Sequence, residues 1–376
     1  MKKSLLIALA ILMAFSVLAG CSPTTPESSA QPTKITSGED KPIATPAPET
    51  PSADIPENVS PTTGMENTTT TYKPVMVQID NEPGARPQTG VQNADVVYET
   101  PIEGSDTRLT LLFNDAIWSE DGPEELVAGP VRSSRYYHQW IQGEWDALYV
   151  HMGGPDKTNN PTSDIWGDSG DHVKQRINGA GSHSSNGDMF YPLRSGQSVS
   201  NYAAIDVKKA ADIYKYEPTQ KQEFTFYPLE AYDDAPEIDK IELAFMNKPG
   251  WVEYQYDEDK DKLIRYMSGK EFIAEETGEP VEVQNLIIAY TTVTEMPNDA
   301  PRRQVDVIGE GPAEFVIHGK HLKGTWSRPS GSDPTTYTLE NGDDLVLAPG
   351  NTWIEIHPNN KAIVTTYTDG KTHDTN

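Results

Sequence analysis

One cysteine, Cys21, occurs in the 376 residues, and that lone thiol removes whole classes of fold and chemistry. A disulfide framework and a Cys-ligated zinc cluster both need partners that the chain lacks, so a packed apolar core has to stabilise the fold. The position of Cys21 is equally telling. Lys2 and Lys3 precede an apolar run from Ser4 to Val17, and Leu18-Ala19-Gly20-Cys21 follows. A positive start, a short apolar run and small residues ahead of a cleavage point form an export signal. The run is shorter than the about 20 residues that a membrane-spanning helix needs. The sequence therefore predicts removal of residues 1–20 and lipidation of Cys21. The lipid makes the membrane a partner of the chain, with the fold on the extracytoplasmic face; the competing reading is an ordinary secretory signal with a chance cysteine. Two or three acyl chains hold stably where one is marginal. An acylated Cys21 leaves no thiol to act as a nucleophile.

Charge narrows the partners. The chain carries 57 Asp and Glu against 30 Lys and Arg, a net charge of −27. Nucleic acid and anionic headgroups would be repelled, so neither is expected as a ligand, although a local basic pocket can still hold an anion. Residues 21–70 comprise the lipidated cysteine and a Pro/Thr/Ser-rich linker without aromatic residues. Such a segment buries too little apolar surface to offset its chain entropy and acts as a spacer.

Beyond Tyr72 the pattern becomes that of folded protein. Pro74 to Asp80, Val96 to Thr100, Arg108 to Phe113 and Ala147 to His151 read as strands, while Ser133 to Trp145 and Val207 to Tyr216 have helical spacing. From Ile238 onward, short strand-like segments alternate with turn clusters such as Asn341-Gly342-Asp343. These patterns predict an α+β chain: an N-terminal mixed α/β domain over residues 71–225, then a mainly antiparallel β domain over residues 238–370.

Four groups of motifs resemble a known family: Ala85-Arg86-Pro87-Gln88-Thr89-Gly90 with Ala94-Asp95-Val96-Val97-Tyr98-Glu99; Gly129-Pro130-Val131-Arg132-Ser133-Ser134-Arg135; Asp146 through Gly154; and Gly324-Thr325-Trp326, Asp333-Pro334-Thr335 and Pro349-Gly350-Asn351-Thr352-Trp353-Ile354. Together they are similar to the YerB-like bacterial lipoproteins, whose two domains have no assigned function. The resemblance spans about Thr71 to Pro358 and implies a two-domain extracytoplasmic lipoprotein. One stretch departs from the pattern: family members often carry His directly followed by Asn, whereas this chain has Ser182-His183-Ser184-Ser185-Asn186.

Arginine is the first candidate chemistry. Arg86, Arg108, Arg132 and Arg135 sit in strand-edge or loop motifs, and a guanidinium fork binds carboxylate or phosphate bidentately. These four are the candidate ligand-binding residues; the alternative is that they pair with Asp95, Glu99, Glu103 and Asp106. His151 at a strand end, His183 in a polar loop and Glu99 are the candidate catalytic groups, against a reading of both histidines as structural. No His-Glu-x-x-His or Gly-x-Ser-x-Gly motif is present. Asp164 to Asp171 is rich in oxygen ligands but lacks EF-hand spacing, so a solvated loop is expected there, with no metal and no cofactor. Trp166 in that loop can stack on a sugar ring. Arg302, Arg303, Lys320 and Lys323 read as surface charge. The sequence favours a non-enzymatic module that binds an anionic cell-wall polymer or an envelope protein. A hydrolase or transferase acting on an envelope glycan is the alternative. A solute receptor with two like α/β lobes fits poorly with the β-rich second half.

Overall fold

The computed structural model describes residues 58–66, 71–119, 122–155, 175–180, 187–199, 201–222, 224–245, 251–296 and 301–375. All of them belong to the unit Pro51–Asn376. Cys21, His183, Trp166 and the acidic stretch Asp164 to Asp171 lie outside the described residues. No helix among the described residues is long and apolar enough to cross a membrane.

The first half of the sequence supplies β1 (Val75–Asp80), β2 (Val96–Pro101), β3 (Thr107–Phe113), β4 (Val127–Val131), β5 (Leu148–His151), β6 (Arg176–Asn178), β7 (Tyr191–Pro192) and β8 (Ala203–Asp206). Its α-helices are α1 (Asp115–Trp118), α2 (His138–Trp145) and α3 (Val207–Tyr214). The second half begins with β9 (Ile238–Leu243), β10 (Val252–Asp257), β11 (Lys262–Met267), β12 (Lys270–Glu271), β13 (Glu282–Val283), β14 (Asn285–Thr291) and β15 (Val293–Glu295). It continues with β16 (Arg303–Val305), β17 (Gly309–Ile317), β18 (Lys320–Arg328), β19 (Thr336–Leu339), β20 (Thr352–Pro358), β21 (Ile363–Tyr367) and β22 (Thr372–Thr375).

These assignments correct the expected fold class. The chain is mainly β, and its N-terminal half is not a mixed α/β domain: three short helices cannot cover a sheet of this size. A 13-stranded sheet runs β19-β18-β17-β14-β20-β2-β3-β1-β4-β8-β7, with β5 on β1 and β6 on β5. It is continuous across the two halves because β2 pairs in parallel with β20, Tyr98 opposite Ile354 and Glu99 opposite Glu355. The expected helix from Ser133 begins only at His138. Arg132 N–H is bonded to Gln78 O and Ser134 N–H to Gly153 O, so this backbone is tied to strands and cannot enter a helix.

Alternation explains why β1 to β3 read as buried runs. Val75, Val77 and Ile79 join one core with Leu109, Leu111 and Phe113, whereas Met76 and Leu112 point to the other face. The first face is shared with Ile241, Leu243, Tyr254 and Leu263 of the second sheet. The opposite face receives Tyr137, Ile141 and Trp145 around α2. Strands buried on both faces look like those of a helix-covered parallel sheet, yet here a second sheet covers one face.

Order extends ahead of Tyr72. Thr62 is buried and donates to Asp95 Oδ2 at 2.9 Å, while Gly64 turns at φ 64°. A Cβ at Gly64 would meet the Phe226 ring at 2.3 Å, so this turn is pressed onto the fold.

Candidate anion site

Strand register assembles the site. Asp80 ends β1 and lies opposite Arg108 of β3. Val131 ends β4 opposite Ile79, so Arg132 falls opposite Gln78 and diagonal to Asp80. The Arg132 backbone is fixed on both sides, its N–H on Gln78 O and its carbonyl accepting from Met152 N–H. Arg132 Nε donates to Asp80 Oδ2 at 2.7 Å, and Arg108 Nη2 stands 3.9 Å from Asp80 Oδ1. The Arg132 side chain is 29% exposed, and its Nη1 and Nη2 have no partner among the described residues.

Ser133 links two further guanidinium groups. Its Oγ accepts from Arg108 Nη1 at 3.0 Å and from Arg135 Nη1 at 2.9 Å, and its carbonyl accepts from Arg108 at 2.6 Å. Arg135 also grips Glu103 bidentately at 2.7 and 2.6 Å. Burial would raise the Glu103 carboxyl, but the Arg135 bonds outweigh it and hold Glu103 below the usual carboxylate range. Arg86, half-buried, donates to Asn81 O at 2.6 Å.

Electrostatics mark this layer as positive. Arg108, Arg132 and Arg135 face Asp80 and Glu103, which leaves one positive charge uncompensated. Burial, reinforced by Arg135, pulls the Arg108 guanidinium down to about 10, and its Nε has no partner among the described residues. Burial, with Arg265 nearby, also lowers Arg86. Excess positive charge in a chain of net charge −27 is a local feature that an anion would relieve.

The histidines lie deeper. His138 Nδ1 accepts from Arg135 N–H at 2.8 Å, so Nε2 carries the proton and donates to Thr100 Oγ1 at 2.9 Å. Burial, followed by Arg108 and Arg135, pushes His138 well below its ordinary value. His151 is buried, stacks on Tyr149, and its Nδ1–H donates to Gly153 O at 2.8 Å. Burial lowers it to about 4, so it is neutral at physiological pH.

Glu99 lies in a different network. It is fully buried, accepts from Asn81 Nδ2 at 3.1 Å and from Thr107, and forms an ion pair with Arg265. The Arg265 guanidinium carbon lies 4.2 Å from the Phe272 ring centre and 4.6 Å from that of Trp353. Its Nε donates to the Tyr254 hydroxyl, which in turn donates to Glu355. Burial, then Glu99, drives the Glu355 carboxyl well above its usual range.

Thus the structure brings Arg108, Arg132 and Arg135 together around Asp80 and Ser133, with Arg86 on the adjoining turn, and it encloses Glu99 and His151. Of the acids weighed as arginine partners, Glu103 pairs with Arg135, whereas Asp95 accepts from Thr62 and from Asn114 N–H. No group of three or more His, Cys, Asp or Glu side chains that could hold a metal exists among the described residues. Asp80, Ser133, His138 and Arg265 were not singled out by sequence reasoning. A charged residue among the apolar residues of the strand Lys262–Met267 was the available signal for Arg265; Asp80 read only as the last residue of the strand Pro74 to Asp80.

Comparison with known proteins yields two family matches. Residues 62–217 match the N-terminal domain, and residues 241–354 the C-terminal domain, described as "Protein of unknown function (DUF3048)". The chain is 29% identical over 311 residues to "Putative lipoprotein YerB" of Bacillus subtilis (strain 168), covering 80% of this chain and 86% of that one. The crystal structure of the YerB protein from Bacillus subtilis superposes with a TM-score of 0.64 at 26% identity, covering 79% of this chain and 95% of the other.

Proposed function

This chain belongs to the YerB-like family, and from that premise we propose that it is a membrane-anchored envelope lipoprotein, acylated at Cys21, whose folded part captures an anionic envelope ligand at the Arg132 edge. The carrying observation is the arrangement of Arg132: Asp80 holds its Nε, and the Nη1–Nη2 edge has no protein partner among the described residues. A guanidinium held in this way offers two parallel N–H groups to a carboxylate or phosphate without further ordering of its own. The anchor reading draws on the export pattern before Cys21 and on the lipoprotein description of the relative. Burial of His151 and Glu99 weighs against a hydrolase built on those two groups.

The test is retention of cell-wall fragments and membrane extract on immobilised protein, wild type beside Arg132→Ala. Selective enrichment by wild type supports the proposal. Equal retention by both proteins would remove it. Cys21→Ser checks the anchor separately: the substituted protein should leave the membrane fraction and lose its lipid label.

A further inference from the structure

Resting on the anion-site reading above, we propose that the ligand presents one carboxylate on an otherwise uncharged carrier, bound bidentately by Arg132 Nη1 and Nη2, and that it is not a repeating polyanion. Three observations carry this. The first is charge. Arg108, Arg132 and Arg135 exceed Asp80 and Glu103 by one, and the adjoining Arg86 and Arg265 are met by Glu99 and Asp106. One excess charge matches a monocarboxylate; a phosphomonoester carries close to two negative charges near neutrality.

The second is geometry. Among the described residues only one guanidinium edge of this layer is both exposed and unoccupied. Arg135 has committed Nε and Nη2 to Glu103 and Nη1 to the Ser133–Ser134 turn, while Arg108 is fully enclosed. A single planar fork is the complement of a single planar carboxylate.

The third is the surroundings. Val131 pairs with Ala203 across β4 and β8, so Tyr202 stands one step beyond that pair, as Arg132 does. The Tyr202 hydroxyl approaches the Pro83–Ala85 turn, lying 4.0 Å from where a Cβ on Gly84 would be, and it has no partner among the described residues. The uncharged Tyr202 ring offers a surface on which the body of a ligand can pack. A polymer with a charge on every repeat would instead continue across a surface of net charge −27.

The experiment is calorimetric titration of the mature chain with four probes: N-acetyl-alanyl-alanine with a free carboxylate, the same dipeptide as its amide, glucuronate, and polyglycerol phosphate. The free dipeptide or glucuronate should bind, and which of them does so identifies the carrier as peptide or sugar. The amide and Arg132→Lys should each weaken binding about tenfold or more, because a lysine cannot reproduce the fork. Unchanged thermal unfolding of Arg132→Lys shows that the fold is intact. Arg132-dependent binding of polyglycerol phosphate alone would overturn the monocarboxylate assignment and leave the anion site standing. Absence of Arg132-dependent binding by any probe would overturn both.

Discussion

Asp80 Oδ2 receives Arg132 Nε at 2.7 Å, while its Oδ1 stays 3.9 Å from Arg108 Nη2. One carboxylate thus sits between a guanidinium that reaches solvent and one that does not. The two arginines therefore have separable roles, one in binding and one in holding the layer together.

That separation is measurable. Arg132→Met removes a partly exposed ion pair and should lower stability by about 1 kcal/mol or less. Asp80→Asn leaves Arg108 without its carboxylate inside the fold and should cost about 3–5 kcal/mol. Urea unfolding of the two variants checks the contrast. Equal losses would mean that Asp80 serves only the solvent-facing arginine.

Glu99 and Arg265 form a wholly buried pair joining β2 to β11. Glu99→Leu alone should destabilise by about 3–5 kcal/mol, because a guanidinium stays buried among rings without its countercharge. Adding Arg265→Met should recover most of that loss. A double-mutant cycle by denaturant unfolding measures the coupling; additive losses would show that the pair does not act as a unit.

Burial holds His151 near 4, below its ordinary 6.5. Between these values the unfolded chain takes up a proton at this position that the folded chain does not. Its contribution is therefore complete above pH 6.5 and declines as the pH falls towards 4, with a full span of about 3 kcal/mol. His138, lowered in the same direction, adds to the slope. His151→Gln should flatten the stability curve over this window relative to wild type, and parallel curves would refute the assignment.

Gly64 turns at positive φ with Phe226 against it. Gly64→Ala should destabilise by about 1 kcal/mol or more, through backbone strain and displacement of the ring. Thermal unfolding of a chain shortened to begin at Tyr72 should show a comparable or larger loss, because Thr62 no longer satisfies Asp95. No change in either would detach residues 58–66 from the fold.

Much of the strand pattern was legible because alternation and apolar runs are local. Val75–Asp80 and Thr107–Phe113 appear nearly where the pattern put them. What covers a strand is not local. Burial of Val77 beneath Leu243 and Tyr254 depends on residues more than 150 positions away, and no period within Val75–Asp80 distinguishes a covering sheet from a covering helix. The same limit applies to the site. Arg108, Arg132 and Arg135 stood out by residue type, but Asp80 gained meaning only through the register that sets it opposite Arg108. Glu99 looked like a strand-end acid open to chemistry; its partner, Arg265, lies 166 residues further along.

The central claim is that the Arg132 edge receives an oxyanion. Its most direct test is the thermal midpoint of the protein in acetate or phosphate against chloride at equal ionic strength, for wild type and Arg132→Met. An oxyanion at ten times its dissociation constant adds about 1.4 kcal/mol to the folded state. The midpoint should rise in wild type and the rise should disappear in Arg132→Met. Equal shifts in both proteins would contradict it.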